Sequence, residues 1–235
     1  MKVRYVIKFT KESSIKFISH LDLMRTIQRV IRRADLPMEY SKGFNPHMAL
    51  SIAQPLSVGV YSSAEYMDIV LVEELSEEEI INRLNEKTAS GIKFLEARKV
   101  VNKEGEKKIP QSMALVDAAR FTIKMLCKDS NIVEEKMKNL NAEDTWTTIK
   151  KSKKGEKEVN LKTMIKEMKY WINNDELVLN IVVSSGSREH LSPDLVAEYI
   201  KKNIPEIASD AFVDIKREEM YVLKDDKYIP IYKFI

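Results

Sequence analysis

The chain has a single cysteine, Cys127, among 235 residues. One thiol excludes a disulfide framework and a multi-cysteine metal cluster. The spacing Cys-x-x-x-Cys-x-x-Cys does not occur, so the chain cannot itself ligate a radical iron–sulfur cluster through three cysteines. There is no run of about 20 apolar residues, and the start, MKVRYVIKFTKES, carries no signal-peptide pattern. A Walker or dinucleotide-binding glycine fingerprint is also missing. These absences predict a soluble cytoplasmic protein with no membrane association, no cofactor and no resident metal.

What is present is a core and a clustered charge. Hydrophobic residues make up 44% of the chain, enough for a buried interior. The net charge is only +3, but it is unevenly placed. Four of the ten arginines lie at 25, 29, 32 and 33, and residues 150–169 hold eight lysines against three glutamates.

Periodicity divides the chain in two. Val3, Tyr5, Ile7 and Phe9 alternate with Arg4, Val6 and Lys8, the pattern of a half-buried strand. Ser19 with Asp22 forms a capping-box variant that opens a helix. Leu21, Leu23, Met24, Ile27, Val30, Ile31 and Ala34 supply its inward stripe, and Pro37 closes it. Strands follow at 48–53 and 64–74. Ser76 and Glu79 cap a second helix, Gly91 stops it, and IKFLEARKV is a further strand. Strand, helix, strand, strand, helix, strand is the ferredoxin-like split βαβ order. Residues 1–101 are therefore read as one such unit and 102–112 as a polar linker.

Residues 113–235 are read as a second unit of the same kind. ARFTIKMLCK alternates as a strand, with Cys127 among its inward residues. Val133, Met137 and Leu140 face inward from a short helix. An inserted hairpin turns at Lys154-Gly155, and another turns at 173–175. Ser192-Pro193-Asp194 starts a helix, and FVDIKREEMYVL is the last strand. The expected fold class is α+β: two ferredoxin-like (βαββαβ) units in tandem, with antiparallel sheets and helices on one face.

Candidate functional residues gather between 20 and 47. Arg25, Arg29, Arg32 and Arg33 fall at i, i+4, i+7 and i+8, on the helix face opposite the apolar stripe. Such a face can be plain solvated surface or a phosphate-binding one, because guanidinium forks match phosphate oxygens. Gly43-Phe44-Asn45-Pro46-His47 is loop chemistry. Gly43 allows a tight turn that presents Phe44. Phe44 is then either a plug beneath the loop or a platform for an RNA base, with Tyr40 as a second ring. Asn45 and His47 could orient a ligand. His20, in the first helical turn, is either a packed polar residue or an acid–base group. His20, His47 and Asp22 could together make an open metal site, but no spacing motif supports one. The segment SSGSREHLSPD feeds a helix N-terminus and could hold an anion.

The same residues carry a family resemblance. Ser19-His20-Leu21-Asp22, Arg25, Arg32-Arg33-Ala34, Leu36-Pro37, Tyr40-Ser41, Gly43-Phe44-Asn45-Pro46-His47, Pro55-Leu56, Gly59 and Glu65-Tyr66 closely resemble the radical-SAM-linked bacterial family, a domain of unknown function fused to or encoded beside a radical SAM protein. The resemblance covers residues 8–70 closely and the second half loosely. It departs at Met48-Ala49, where a proline and a basic residue often follow the histidine. It implies a radical SAM protein as partner and a link to RNA or ribosome metabolism, and it brings no established catalytic residues. The expected function is a non-catalytic accessory that recognises or presents an RNA or ribonucleoprotein substrate. The binding residues would be Arg25, Arg29, Arg32, Arg33, Tyr40, Gly43, Phe44, Asn45 and His47. Alternatives are a metal-independent RNA-processing endonuclease with His20 as base, and a pure protein–protein adaptor.

Overall fold

The structure is a computed structural model that describes residues 2–102, 104–105, 107–152 and 155–235. In chain order the elements are β1 (Val3–Lys11), α1 (His20–Arg33), β2 (Leu50–Ile52), β3 (Val60–Leu71), α2 (Glu77–Lys87), β4 (Phe94–Lys99) and α3 (Ser112–Leu115). There follow β5 (Ala118–Leu126), α4 (Ser130–Ala142), β6 (Thr147–Ser152), β7 (Gly155–Asn160), β8 (Ile165–Asn173) and β9 (Glu176–Ser184). The chain ends with α5 (Pro193–Asn203), β10 (Asp214–Lys224), β11 (Lys227–Pro230) and α6 (Ile231–Phe234). The protein is mixed α+β, and every strand pairing described below with a register is antiparallel.

Two compact units divide at Asp117 and Arg217. Residues 217–235 group with residues 1–117, so the C-terminal segment that the sequence places in the second unit lies with the first.

In the first unit β1 is central. It pairs with β3 through Val3↔Leu71 to Phe9↔Glu65 and with β4 through Tyr5↔Lys99 to Ile7↔Ala97. Short β2 lies on the other side of β3, with Ser51 opposite Asp68. β1 therefore lies between β4 and β3, and β2 pairs with β3. Both serine caps form, without the reciprocal bond of a full capping box among the described residues. Ser19 Oγ accepts the Asp22 N–H at 3.2 Å, and Ser76 Oγ accepts the Glu79 N–H at 3.1 Å. Each satisfies one of the donors a helix start leaves unpaired. Leu23, Ile27, Val30 and Ile31 of α1 and Ile80 and Leu84 of α2 are buried against Tyr5, Ile7, Phe9, Met67 and Ile69 of the sheet. Each such side chain contributes roughly 1.5–3 kcal/mol by burial. Leu21 does not join them. It is 63% exposed, because the first turn of α1 points it beside the arginines instead of toward the sheet.

The opposite face of this sheet is polar, and it is not the solvent face that the alternation of β1 predicts. The linker and the C-terminus cover it. Arg4 Nη2 donates to Ile109 O at 2.5 Å, and the Ser112 N–H donates to Asp68 Oδ2 at 2.8 Å. Lys8 Nζ donates to Glu219 Oε2 at 2.7 Å and lies 4.5 Å from the centre of the Tyr232 ring. Tyr66 donates to Glu219 Oε1 at 2.6 Å. Burial and the Glu219 carboxylate push the Tyr66 hydroxyl pKa far up, so it stays protonated as a donor. The 102–112 stretch is thus fastened to the first unit at its far end.

In the second unit the order is β5-β9-β8, with β6–β7 a separate hairpin. Lys154, half of the expected turn of that hairpin, lies outside the described residues. Phe121, Ile123, Met125 and Cys127 are buried as their alternation predicts, and so are Val133, Met137 and Leu140 of α4. Trp146 is fully buried, donating Nε1–H to Leu140 O at 2.9 Å and stacking on Tyr199 at 5.3 Å. Asn174 takes the positive φ that the β8–β9 turn requires.

Candidate nucleic-acid interface

Residues 20–33 form α1, and all four arginines lie on its exposed face. Arg32 and Arg33 sit in the last turn, where cations favour the helix dipole. The four are not equivalent. Arg25 Nη1 reaches Asp22 Oδ1 at 3.3 Å, an exposed pair that is worth about 0–1 kcal/mol. Arg33 Nη2 donates to Lys87 O at 2.9 Å and so satisfies a carbonyl at the end of α2. Arg29 and Arg32 make no side-chain hydrogen bond or ion pair among the described residues.

After α1 the chain reverses through Asp35, which takes a positive φ of 50°. Leu36 and Met38 are buried, and they seat the next segment on the unit. The loop that follows is clamped at its base. Tyr40 bridges Met48, the Ser41 N–H donates to His47 O at 2.8 Å, and the His47 N–H donates to Ser41 Oγ at 2.9 Å. The Ala49 N–H donates to Glu39 O at 2.8 Å. These bonds use backbone atoms and Ser41, leaving the rings and amides of the tip for other partners.

At the tip Gly43 has φ +128°. A Cβ added there would meet nothing within 4 Å, so the glycine is required by conformation and not by crowding. Phe44 is not a plug beneath the loop: its relative exposure is 108%. Asn45 and His47 are exposed, and Tyr40 is 41% exposed. The fold gains no burial energy from an aromatic ring in this position. The structure gathers Tyr40, Gly43, Phe44, Asn45 and His47 on one loop and the arginines on one helix face. No side-chain hydrogen bond or ion pair joins the two sets among the described residues.

His20 is half-buried at the first position of α1. Among the described residues no three His, Cys, Asp or Glu side chains converge as a metal site, so His20, His47 and Asp22 do not form one. The 184–194 segment supplies its own anions. Ser184 Oγ donates to the Glu189 carboxylate, which lowers that carboxyl's pKa, and Asp194 occupies the first turn of α5 beside the Ser192 cap. These carboxylates oppose a second anion there. Among the described residues no helix is long and apolar enough to cross a membrane.

Comparison with known proteins adds a family. Two solved structures align along most of the chain. One is an unknown protein from Galdieria sulphuraria, 10% identical, covering 94% of this chain and 100% of that one at a TM-score of 0.27. The other is a "putative glycine cleavage system transcriptional repressor", 8% identical, covering 92% and 99% at a TM-score of 0.22. Likeness at that level carries no argument about fold or function. No curated protein matches the chain. Residues 4–193 match the pattern of a family described as an uncharacterized protein conserved in bacteria (DUF2344), and the chain belongs to that family.

Proposed function

We propose that the protein is a non-catalytic accessory that recognises an RNA or ribonucleoprotein and presents it to a separate radical SAM enzyme. The observation that carries the RNA reading is Phe44, fully exposed on a clamped loop. An unstacked base gains about 1–3 kcal/mol from such a ring. Tyr40 offers a second ring, while Asn45 and His47 offer donors and acceptors to base edges. Arg25, Arg29, Arg32 and Arg33 offer guanidinium forks to phosphates. The radical SAM partner is supported by the resemblance of residues 8–70. The architecture that we propose beneath this function is two ferredoxin-like units in tandem. It is supported by the order β4-β1-β3-β2 in the first unit and β5-β9-β8 in the second, with β6–β7 inserted.

Fluorescence anisotropy with a pool of random single-stranded RNA tests the reading. Phe44→Ala should weaken binding by about 5–150-fold, the loss of one base stack. Equal affinity in the variant refutes the stacking role. Purification of the tagged protein from its native cell should recover a radical SAM protein, and its consistent absence refutes the partner.

A further inference from the structure

The sheet of the second unit ends on an open edge. Among the described residues β8 pairs with β9 and with no other strand. The two are joined by a two-residue turn, Asn174-Asp175, with Asn173 opposite Glu176. Residues that flank such a turn exchange both ladder hydrogen bonds, and the bonding direction then alternates along the strand. Asn173, Trp171, Lys169 and Glu167 thus bond to β9, while Ile172, Tyr170 and Met168 turn their N–H and C=O groups outward. No backbone hydrogen bond from elsewhere reaches those groups among the described residues.

A row of unpaired backbone groups is a template for another strand, and charged side chains usually guard it. The charges on β8 are of both signs and evenly placed: Glu167 and Lys169 flank Met168. Lys169 is exposed and makes no side-chain hydrogen bond or ion pair among the described residues. Glu167 reaches Arg120 Nη2 at 2.6 Å, yet 49% of its side chain stays exposed. Residues directly opposite in an antiparallel pair share a sheet face, where unlike charges attract and like charges repel. An antiparallel copy of β8 centred on Met168 sets each Glu167 against the partner's Lys169. A copy centred on Glu167 or on Lys169 sets like charges together, and one centred on Tyr170 matches neither. The Met168 register also places two outward-turned residues face to face, as the ladder requires.

We infer that two copies of the chain associate edge to edge through β8, antiparallel about a two-fold axis at Met168. Met168 exchanges N–H and C=O bonds with its own copy, and a Glu167–Lys169 pair closes on each side. Trp171, 46% exposed, lies on the same face as the two charges, at the rim of the joined strands. The inference is independent of RNA recognition, whose residues lie in the first unit.

Sedimentation velocity of the full chain is the test. The wild type should be mainly dimeric at about 100 μM. Glu167→Lys and Lys169→Glu should each weaken self-association by about tenfold or more, because each sets like charges opposite one another. An equimolar mixture of the two variants should recover the dimer, since each then meets its complement. The double variant Glu167→Lys/Lys169→Glu should dimerise as the wild type does, and it decides the matter if a single variant does not fold. A wild type that stays monomeric up to about 1 mM overturns the inference. So do single variants that dimerise at full strength, and a mixture or double variant that stays monomeric.

Discussion

Arg217 and Glu65 form an ion pair closed off from water, with relative exposures of 2% and 1%. Arg217 Nε donates to Glu65 Oε1 at 3.0 Å, and Nη2 donates to the same oxygen and to Gln54 O, the latter at 2.8 Å. Removing one partner strands a buried charge, at a cost of about 3–5 kcal/mol. Urea unfolding of Arg217→Ala and of Glu65→Ala should show losses of that size, whereas the double variant Glu65→Leu/Arg217→Met should lose less than either. Single variants within about 0.5 kcal/mol of wild type would contradict this.

Asp68 gives the pH dependence a sign. An unfolded aspartate ionises near pH 4, and burial holds the folded one protonated to higher pH. The folded state then binds the extra proton, so this group's contribution to stability falls as pH rises from the ordinary carboxylate range through the raised value. Asp68→Asn removes the fall. Denaturant unfolding between about pH 4 and pH 7 should show the variant gaining relative to wild type with rising pH. A difference that stays flat, or that moves toward wild type, would contradict the assignment.

Gly43→Val should cost about 1–3 kcal/mol, because φ +128° strains a β-branched residue while its Cβ meets no neighbour. The protein should fold with a lowered Tm and bind RNA poorly, since Phe44, Asn45 and His47 shift together. Asn45→Ala and His47→Ala should leave Tm unchanged, because the clamp uses the His47 backbone and not its ring. If both alanine variants melt several degrees lower and still bind RNA, the loop serves the fold instead.

His20 decides between recognition and cleavage. Labelled structured RNA incubated with the protein in EDTA should remain intact. Cleavage that disappears in His20→Ala would establish the endonuclease reading in place of the accessory one.

Local signals were readable and distant ones were not. Ser19, Ser76 and Ser192 marked helix starts because a cap and its target are two or three residues apart. The inward stripe of α1 was readable too, except at Leu21, where only the actual turn geometry decides the direction. Nothing in the sequence pairs Arg217 with Glu65 or Lys8 with Glu219, which lie 152 and 211 residues apart. Nor does alternation along β1 reveal that Ile109, Ser112 and Tyr232 cover its polar face. Asp68 was the available hint: one acid in the otherwise apolar run YMDIVLV that no capping rule explains. For Phe44 the sequence left two outcomes open, plug or platform, because glycine before an aromatic serves both.

The most direct test of RNA recognition is the salt dependence of binding in Arg29→Ala/Arg32→Ala. Both arginines are exposed and without an intramolecular partner among the described residues, so the double variant should keep its Tm. Wild-type affinity for single-stranded RNA should fall steeply with salt, and the variant's log–log slope should be shallower by about two, one per lost phosphate contact. An unchanged slope would contradict phosphate binding by α1, and with it the central proposal.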